Sequence, residues 1–172
     1  MALAAMKATK KIVVVALGSN RGDSRGILQR SFARLADLSA GGFRNSSIWK
    51  SDPVDCPPGS PSFLNAVVLF EAAESETPES LLDRLQLLER EFGRLPKTVM
   101  NEPRPLDLDI IAFGDESRNT SKLAIPHPRA HLRRFVIAPL AEIDPDFRAP
   151  GWTGCAGRLL AEMASDDSVA PG

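Results

Sequence analysis

The apolar positions of this chain alternate between short strand-like runs and longer runs at helical spacing, in the order strand, helix, strand, strand, helix, strand. Ile12-Val13-Val14-Val15-Ala16-Leu17 is unbroken and largely β-branched, the pattern of a buried strand. After the turn-rich Gly18-Ser19-Asn20-Arg21-Gly22-Asp23, Asp23 or Ser24 can cap a helix that carries Leu28, Phe32, Leu35 and Leu38 on one face. Gly41-Gly42 is expected to stop that helix, and Arg44 to Lys50 to run as a strand. The Pro-rich segment from Ser51 to Ser62 cannot pair in a sheet and is expected as a long loop. Phe63 to Phe70 alternates Phe63, Asn65, Val67, Leu69 with Leu64, Ala66, Val68, Phe70, so Asn65 is a polar group on an otherwise apolar strand face.

Thr77-Pro78 has the cap and first-turn residues of a second helix, whose buried stripe is Leu81, Leu85, Leu88 and Phe92 and whose end is Gly93. Glu89 lies at the margin of that stripe, in the last turn, where the helix dipole disfavours an anion. A second loop, 94–103, leads to a strand beginning at Asp107 and turning at Gly114-Asp115. Leu123 to Pro126 is expected to return to the sheet edge, 127–131 to be a loop, and Leu132 to Ile143 to be a helix interrupted near Pro139. This order predicts an α+β fold, most simply a ferredoxin-like sandwich: a mainly antiparallel sheet with helices packed on one face. Residues 1–10 are expected as a flexible leader, 11–163 as a single domain and 164–172 as a frayed tail.

The 172-residue length suits one domain with a sizeable core, and a net charge of −1 gives no bulk attraction for nucleic acid or a membrane. No apolar run approaches the roughly 20 residues of a membrane-crossing helix. Cys56 and Cys155 form no close pair, which reads as free thiols of a cytoplasmic protein and leaves a single disulfide open. His127 and His131 share one short loop, with no Cys or His cluster of the kind that holds zinc.

The chemistry concentrates in Arg104-Pro105-Leu106-Asp107-Leu108-Asp109. On a strand, Asp107 and Asp109 point to the same side and repel each other unless a cation lies between them. A hard divalent ion such as Mg²⁺, bound together with substrate phosphates, resolves that repulsion; a solvated edge strand is the plainer alternative. Arg94, Lys97, Arg104, Arg129, Arg133 and Arg134 add cations to the same half of the chain, which suits a polyphosphate–Mg²⁺ complex. Neither the G-x-x-x-x-G-K-[ST] nor the G-x-G-x-x-G nucleotide cradle is present, and no residue stands out as a general base. Paired aspartates also serve two-metal nucleotidyl transferases and nucleases, although a near-neutral chain fits a nucleic-acid groove poorly. A non-catalytic ligand-binding module would not need the acids, the arginines and Asn65 together.

From Val14 to about Pro145 the chain resembles the 6-hydroxymethyl-7,8-dihydropterin pyrophosphokinase family. The resemblance is carried by Leu17-Gly18-Ser19-Asn20, Phe63-Leu64-Asn65-Ala66, Glu89 with Gly93-Arg94, Arg104 to Asp109, and Ile125-Pro126-His127-Pro128-Arg129. It implies the same ferredoxin-like fold and an ATP- and Mg-dependent diphosphotransferase of folate biosynthesis, which moves pyrophosphate from ATP to the pterin hydroxymethyl group and releases AMP. By the resemblance, Asp107 and Asp109 are ligands of two Mg²⁺ ions, and Arg94 and Arg104 act with them in catalysis. Glu89, Arg94, Lys97, Arg104, His127 and Arg133 are implied as nucleotide contacts. Asn65 reads the pterin, Phe63 and Phe135 stack on it, and Val54 offers backbone contacts at its edge. Family members often carry an arginine where this chain has Pro96, with Lys97 next to it, and a tryptophan where it has Asn101. The resemblance implies ATP and the pterin as partners, with no nucleic acid or membrane, and leaves association with other folate-pathway enzymes open.

Overall fold

The computed structural model describes residues 9–165 and 168–172, so most of the expected leader lies outside the described residues. In chain order the elements are β1 (Ile12–Ser19), α1 (Ser24–Leu38), β2 (Gly41–Asn45), β3 (Trp49–Ser51), β4 (Phe63–Glu71) and α2 (Pro78–Glu91). They continue with β5 (Asp107–Phe113), β6 (Arg118–Asn119), β7 (Ala124–Ile125), α3 (Arg134–Ile143), α4 (Ala156–Glu162) and β8 (Val169–Pro171). The six-stranded sheet runs β5-β1-β4-β3-β8, with β2 also paired to β4. Its pairings are antiparallel, and the two βαβ halves interleave as in a ferredoxin-like sandwich.

Local chemistry sets the helix ends. The Asp23 carboxylate accepts the Gly26 N–H at 3.1 Å to start α1. Thr77 and Ser80 form a reciprocal capping box at α2, with Pro78 inside the first turn. Gly93 ends α2 in the left-handed region at φ 91°, which a side chain would resist.

The sheet is covered on both faces, not one. Leu28, Leu35, Leu81 and Leu85 of α1 and α2 pack on Val13, Val15, Val68, Phe70 and Leu108. On the other side, Val136, Ile137, Leu140 and Leu159 of α3 and α4 pack on Val14, Val67, Leu69 and Ile111. Burial on both sides explains why β1 and β4 read as continuous apolar runs, since neither face meets water.

Other expectations change as well. The single strand expected from Arg44 to Lys50 is divided into β2 and β3. From Asn45↔Val68 to Trp49↔Asn65 one strand advances a residue more than the other, as in a bulge. Ser46 holds the join, its hydroxyl accepting the Val67 N–H at 2.9 Å. Gly41-Gly42 opens β2, because α1 has already ended at Leu38. Leu123 to Pro126 pairs as β7 with β6 in a separate two-stranded sheet instead of joining the main one. Pro139 lies inside an unbroken α3. Its missing N–H removes one helical bond, and the packing of Val136, Ile137 and Leu140 on the sheet holds the helix together. Described residues of the expected frayed tail form β8 on β3, held by long-range pairing that local composition does not signal. Among the described residues no helix is long and apolar enough to cross a membrane.

Candidate active site

The α3 face of the sheet is only half filled. Val14, Val67, Leu69 and Ile111 are sealed under α3 and α4. Farther along β1 the same face carries Ala16 and then Gly18, too small to fill the space above them. A cavity of about 670 Å³ opens there, within the range typical of ligand sites. Strand register decides what surrounds this floor. Gly18 lies opposite Asn65 of β4 and Asp107 of β5, and Ala16 lies opposite Val67 and Asp109. The amide and the two carboxylates therefore share one cavity from either side of a nearly bare central strand.

The two aspartates have different surroundings. Asp107 is held by Arg94 Nη1 at 2.7 Å and Arg104 Nη2 at 3.2 Å. Among the described residues no side-chain hydrogen bond or ion pair reaches the Asp109 carboxylate. Burial, then the neighbouring Asp107, pushes its affinity for a proton up. A half-buried carboxylate with no side-chain partner among the described residues and beside a second carboxylate fits a hard cation that keeps several ligand positions for phosphate oxygens and water. Asp107 and Asp109 would hold such an ion. Among the described residues no cluster of three or more His, Cys, Asp or Glu side chains is arranged for a metal, so substrate oxygens would complete the shell.

Aromatic rings and cations complete the walls. Phe63 and Phe135 both line the cavity, and each is covered by a guanidinium: Arg104 lies 5.4 Å from the Phe63 ring centre and Arg133 5.6 Å from that of Phe135. Asn65, 4% exposed, donates from Nδ2 to the Ser51 hydroxyl at 2.7 Å. Arg129 and Arg134 also line the cavity, and Arg134 Nε is buried without a hydrogen-bond partner among the described residues. Burial, followed by Arg129, pulls the Arg133 guanidinium down, while Asp109 and Asp107 hold it up. Asn101 Nδ2 donates to the Asp55 carbonyl at 2.7 Å, joining the two long loops beside the cavity they both line.

Of the residues singled out in the sequence, Val54, Phe63, Asn65, Arg104, Asp107, Asp109, Arg133 and Phe135 line this one cavity. Glu89, expected at the nucleotide, is turned inward: its Oε1 accepts the Leu108 N–H at 2.7 Å and an Arg94 N–H at 2.6 Å. Burial pushes its carboxyl up to about 7 against the pull of those two donors. Glu89 thus joins α2 to β5 and aims Arg94 at Asp107. Lys97 is exposed and lies with Arg21, Arg94 and Arg104 around a separate small cleft. His127 is outside the main cavity lining, and its Nδ1 accepts the Arg129 N–H at 3.2 Å. Burial, then Arg133 and Arg129, disfavours its imidazolium form.

Ser51, Arg134 and the segment around Val169 line the cavity without having been marked in the sequence as site residues. Only Arg134 carried a signal, as one of the cations of the second half. Ser51 and Val169 reach the cavity through strand pairing across the length of the chain.

Residues 14–145 match the family model described as 7,8-dihydro-6-hydroxymethylpterin-pyrophosphokinase (HPPK). A 2-amino-4-hydroxy-6-hydroxymethyldihydropteridine pyrophosphokinase of Bacillus subtilis (strain 168) is 42% identical over 133 residues, covering 77% of each chain. The protein of that name from Pseudomonas aeruginosa is 37% identical over 154 residues, covering 88% of each. A crystal structure of Plasmodium falciparum HPPK-DHPS superimposes with a TM-score of 0.69 at 15% identity over 91% of this chain, a likeness of fold alone. This chain spans 46% of the length of that one. With the family model covering most of its residues and curated relatives this similar, the chain belongs to the 7,8-dihydro-6-hydroxymethylpterin-pyrophosphokinase family.

Proposed function

We propose that this protein transfers the pyrophosphoryl group of ATP to the hydroxymethyl oxygen of 6-hydroxymethyl-7,8-dihydropterin, releasing AMP. The observation that carries the reading is the placement of Asn65 and the Asp107–Asp109 pair on either side of Gly18 and Ala16 in one cavity. A flat ring that presents donors and acceptors can lie against Asn65 and beside Phe63 and Phe135. Its hydroxymethyl arm then points along the floor toward the aspartates.

In the transfer the hydroxymethyl oxygen bonds to the β-phosphorus, the bond from that phosphorus to the oxygen bridging it to the α-phosphorus breaks, and the hydroxyl proton is lost to solvent. Mg²⁺ bound at Asp107 and Asp109, two ions in this reading, would neutralise charge on the phosphates. The protein supplies position and charge. Arg104 and Arg133 stand on the rings and can swing to phosphate oxygens as the pterin takes their place. Glu89 and Arg94 hold Asp107 in line. Much of the acceleration in such a site comes from fixing two substrates in register before reaction.

The Plasmodium chain named HPPK-DHPS supports association with other enzymes of the folate pathway, and this protein is proposed to act in the cytoplasm as one domain that begins near residue 11 and takes in β8. The test is AMP formation from ATP, Mg²⁺ and 6-hydroxymethyl-7,8-dihydropterin, with the pterin omitted as control. Pterin-dependent AMP is expected. ADP in its place would mean ordinary phosphoryl transfer, and no nucleotide product would mean a binder without turnover.

A further inference from the structure

The matched family region ends at residue 145, yet a segment beyond it forms part of the cavity wall: Met163, Ser168 and Val169 line the same space as Ser51 and Asn65. β3 is only three residues long. It is an internal strand because β8 pairs along its outer side, with Ser51 opposite Val169 and Lys50 opposite Ala170. Two further bonds bracket that pairing, from the Asp52 N–H to the Ser168 carbonyl at 3.1 Å and from the Gly172 N–H to the Ile48 carbonyl at 2.9 Å. Without β8, β3 would be a short edge strand beside a Pro-rich loop, a poor anchor for a buried side chain. Ser51 is such a side chain: 3% exposed, with its hydroxyl on the Asn65 amide at 2.7 Å.

We propose that β8 is a positioning element for the pterin. Paired to β3, it fixes Ser51, and Ser51 fixes the plane of the Asn65 amide against which the heterocycle's donors and acceptors must align. Val169 adds an apolar stretch of wall beside them. An amide free to rotate would still bind a flat ring but would discriminate poorly between hydrogen-bond patterns, because its donor and acceptor would no longer stand at set places. Asp107 and Asp109 lie across β1 from this apparatus, so detaching β8 acts on the pterin and leaves nucleotide binding as it was. The inference rests on the pyrophosphokinase reading.

The test uses the full chain with Ala170→Pro. Ala170 is exposed and faces Lys50 between the two bracketing bonds, so proline removes a ladder donor without emptying the core. Ala170→Val, which favours a strand, is the control. Pterin affinity is read from ligand fluorescence, and KM for each substrate from AMP formation. A170P should raise the pterin Kd and KM about tenfold, the equivalent of one well-placed hydrogen bond, with the ATP KM unchanged. A170V should behave as the wild type. Ser51→Ala, which leaves the β3 backbone intact, should reproduce the pterin-selective loss even if A170P folds badly. An unchanged pterin KM in S51A, or an equal rise for both substrates in A170P, overturns the inference while the active wild type upholds the pyrophosphokinase reading. A wild type that forms no pterin-dependent AMP overturns both.

Discussion

Glu89→Gln separates charge from shape at the one buried acid that joins α2 to β5. Glutamine keeps an oxygen for the Leu108 N–H at 2.7 Å and for Arg94 at 2.6 Å but cannot ionise. In the folded chain burial raises the Glu89 carboxyl from 4.5 to about 7, outweighing the Leu108 N–H and Arg94, which favour the anion. The unfolded chain ionises near 4.5, so the folded state resists an ionisation that the unfolded state accepts. The stability contributed by the neutral acid is complete below pH 4.5 and is lost as the pH rises through about 7. At roughly 1.4 kcal/mol per pH unit, the loss amounts to about 3 kcal/mol. Urea unfolding of both proteins at pH 5 and pH 8 measures it. Near pH 5 the two should be similar; at pH 8 E89Q should be the more stable by about 2–3 kcal/mol. Its kcat should fall at pH 8, because Arg94 loses the negative charge that aims it at Asp107. An E89Q protein less stable than the wild type at pH 8 would refute this reasoning, since the two hydrogen bonds to the anion would then outweigh its burial.

Asp109→Asn should unfold no more readily than the wild type at pH 8, because burial and Asp107 oppose the ionised carboxylate in the folded chain, while Mg²⁺-dependent AMP formation falls at least about a hundredfold. Burial and then Asp107 raise Asp109 to about 6, so protons compete with the metal: Mg²⁺ affinity measured by calorimetry should weaken as the pH falls from 7 to 5, and a flat profile would argue against this site. Gly18→Ala tests the cavity floor. Its methyl would meet Phe63 at 3.5 Å and the Asn65 oxygen at 3.7 Å, ordinary contact distances, so the melting temperature should hold while the pterin KM rises. An unchanged pterin KM would place the ring elsewhere.

What could be read from the sequence was local or periodic. The alternation of Asp107, Leu108 and Asp109 placed both acids on one side, and the Phe63–Asn65–Val67 alternation placed the amide with the ring. The caps at Asp23 and Thr77 needed only neighbouring residues. Glu89 was partly legible: it lies four residues after Leu85 on the buried stripe, so helical spacing alone turns it inward. What spacing could not supply was its partner, because the Leu108 N–H comes from another element. The same limit hid β8, whose pairing with β3 joins residues more than a hundred positions apart and leaves no periodic trace in either segment. The division of Arg44–Lys50 into two strands also depends on β4, through Ser46 and Val67, and not on its own composition.

One feature of β1 links fold and function. On the α3 face its side chains shrink in the order Val14, Ala16, Gly18 toward the strand's loop end. Where they are large, the neighbouring residues are Leu69 and Ala112, and helices seal the face. Where they are small, the neighbours are Val67 on one side of Ala16 and otherwise Asn65, Asp107 and Asp109, polar groups that would be costly under a helix without partners. The change in size and the change in polarity therefore occur at the same rows of the sheet. An enlarged residue at Gly18 or Ala16 would cover the acids with hydrocarbon, and apolar residues in place of the acids would leave an open face with no ligand to fill it. Either change alone breaks the match between the cavity and its chemistry, so substitutions along these rows should be tolerated in compensating sets and not singly.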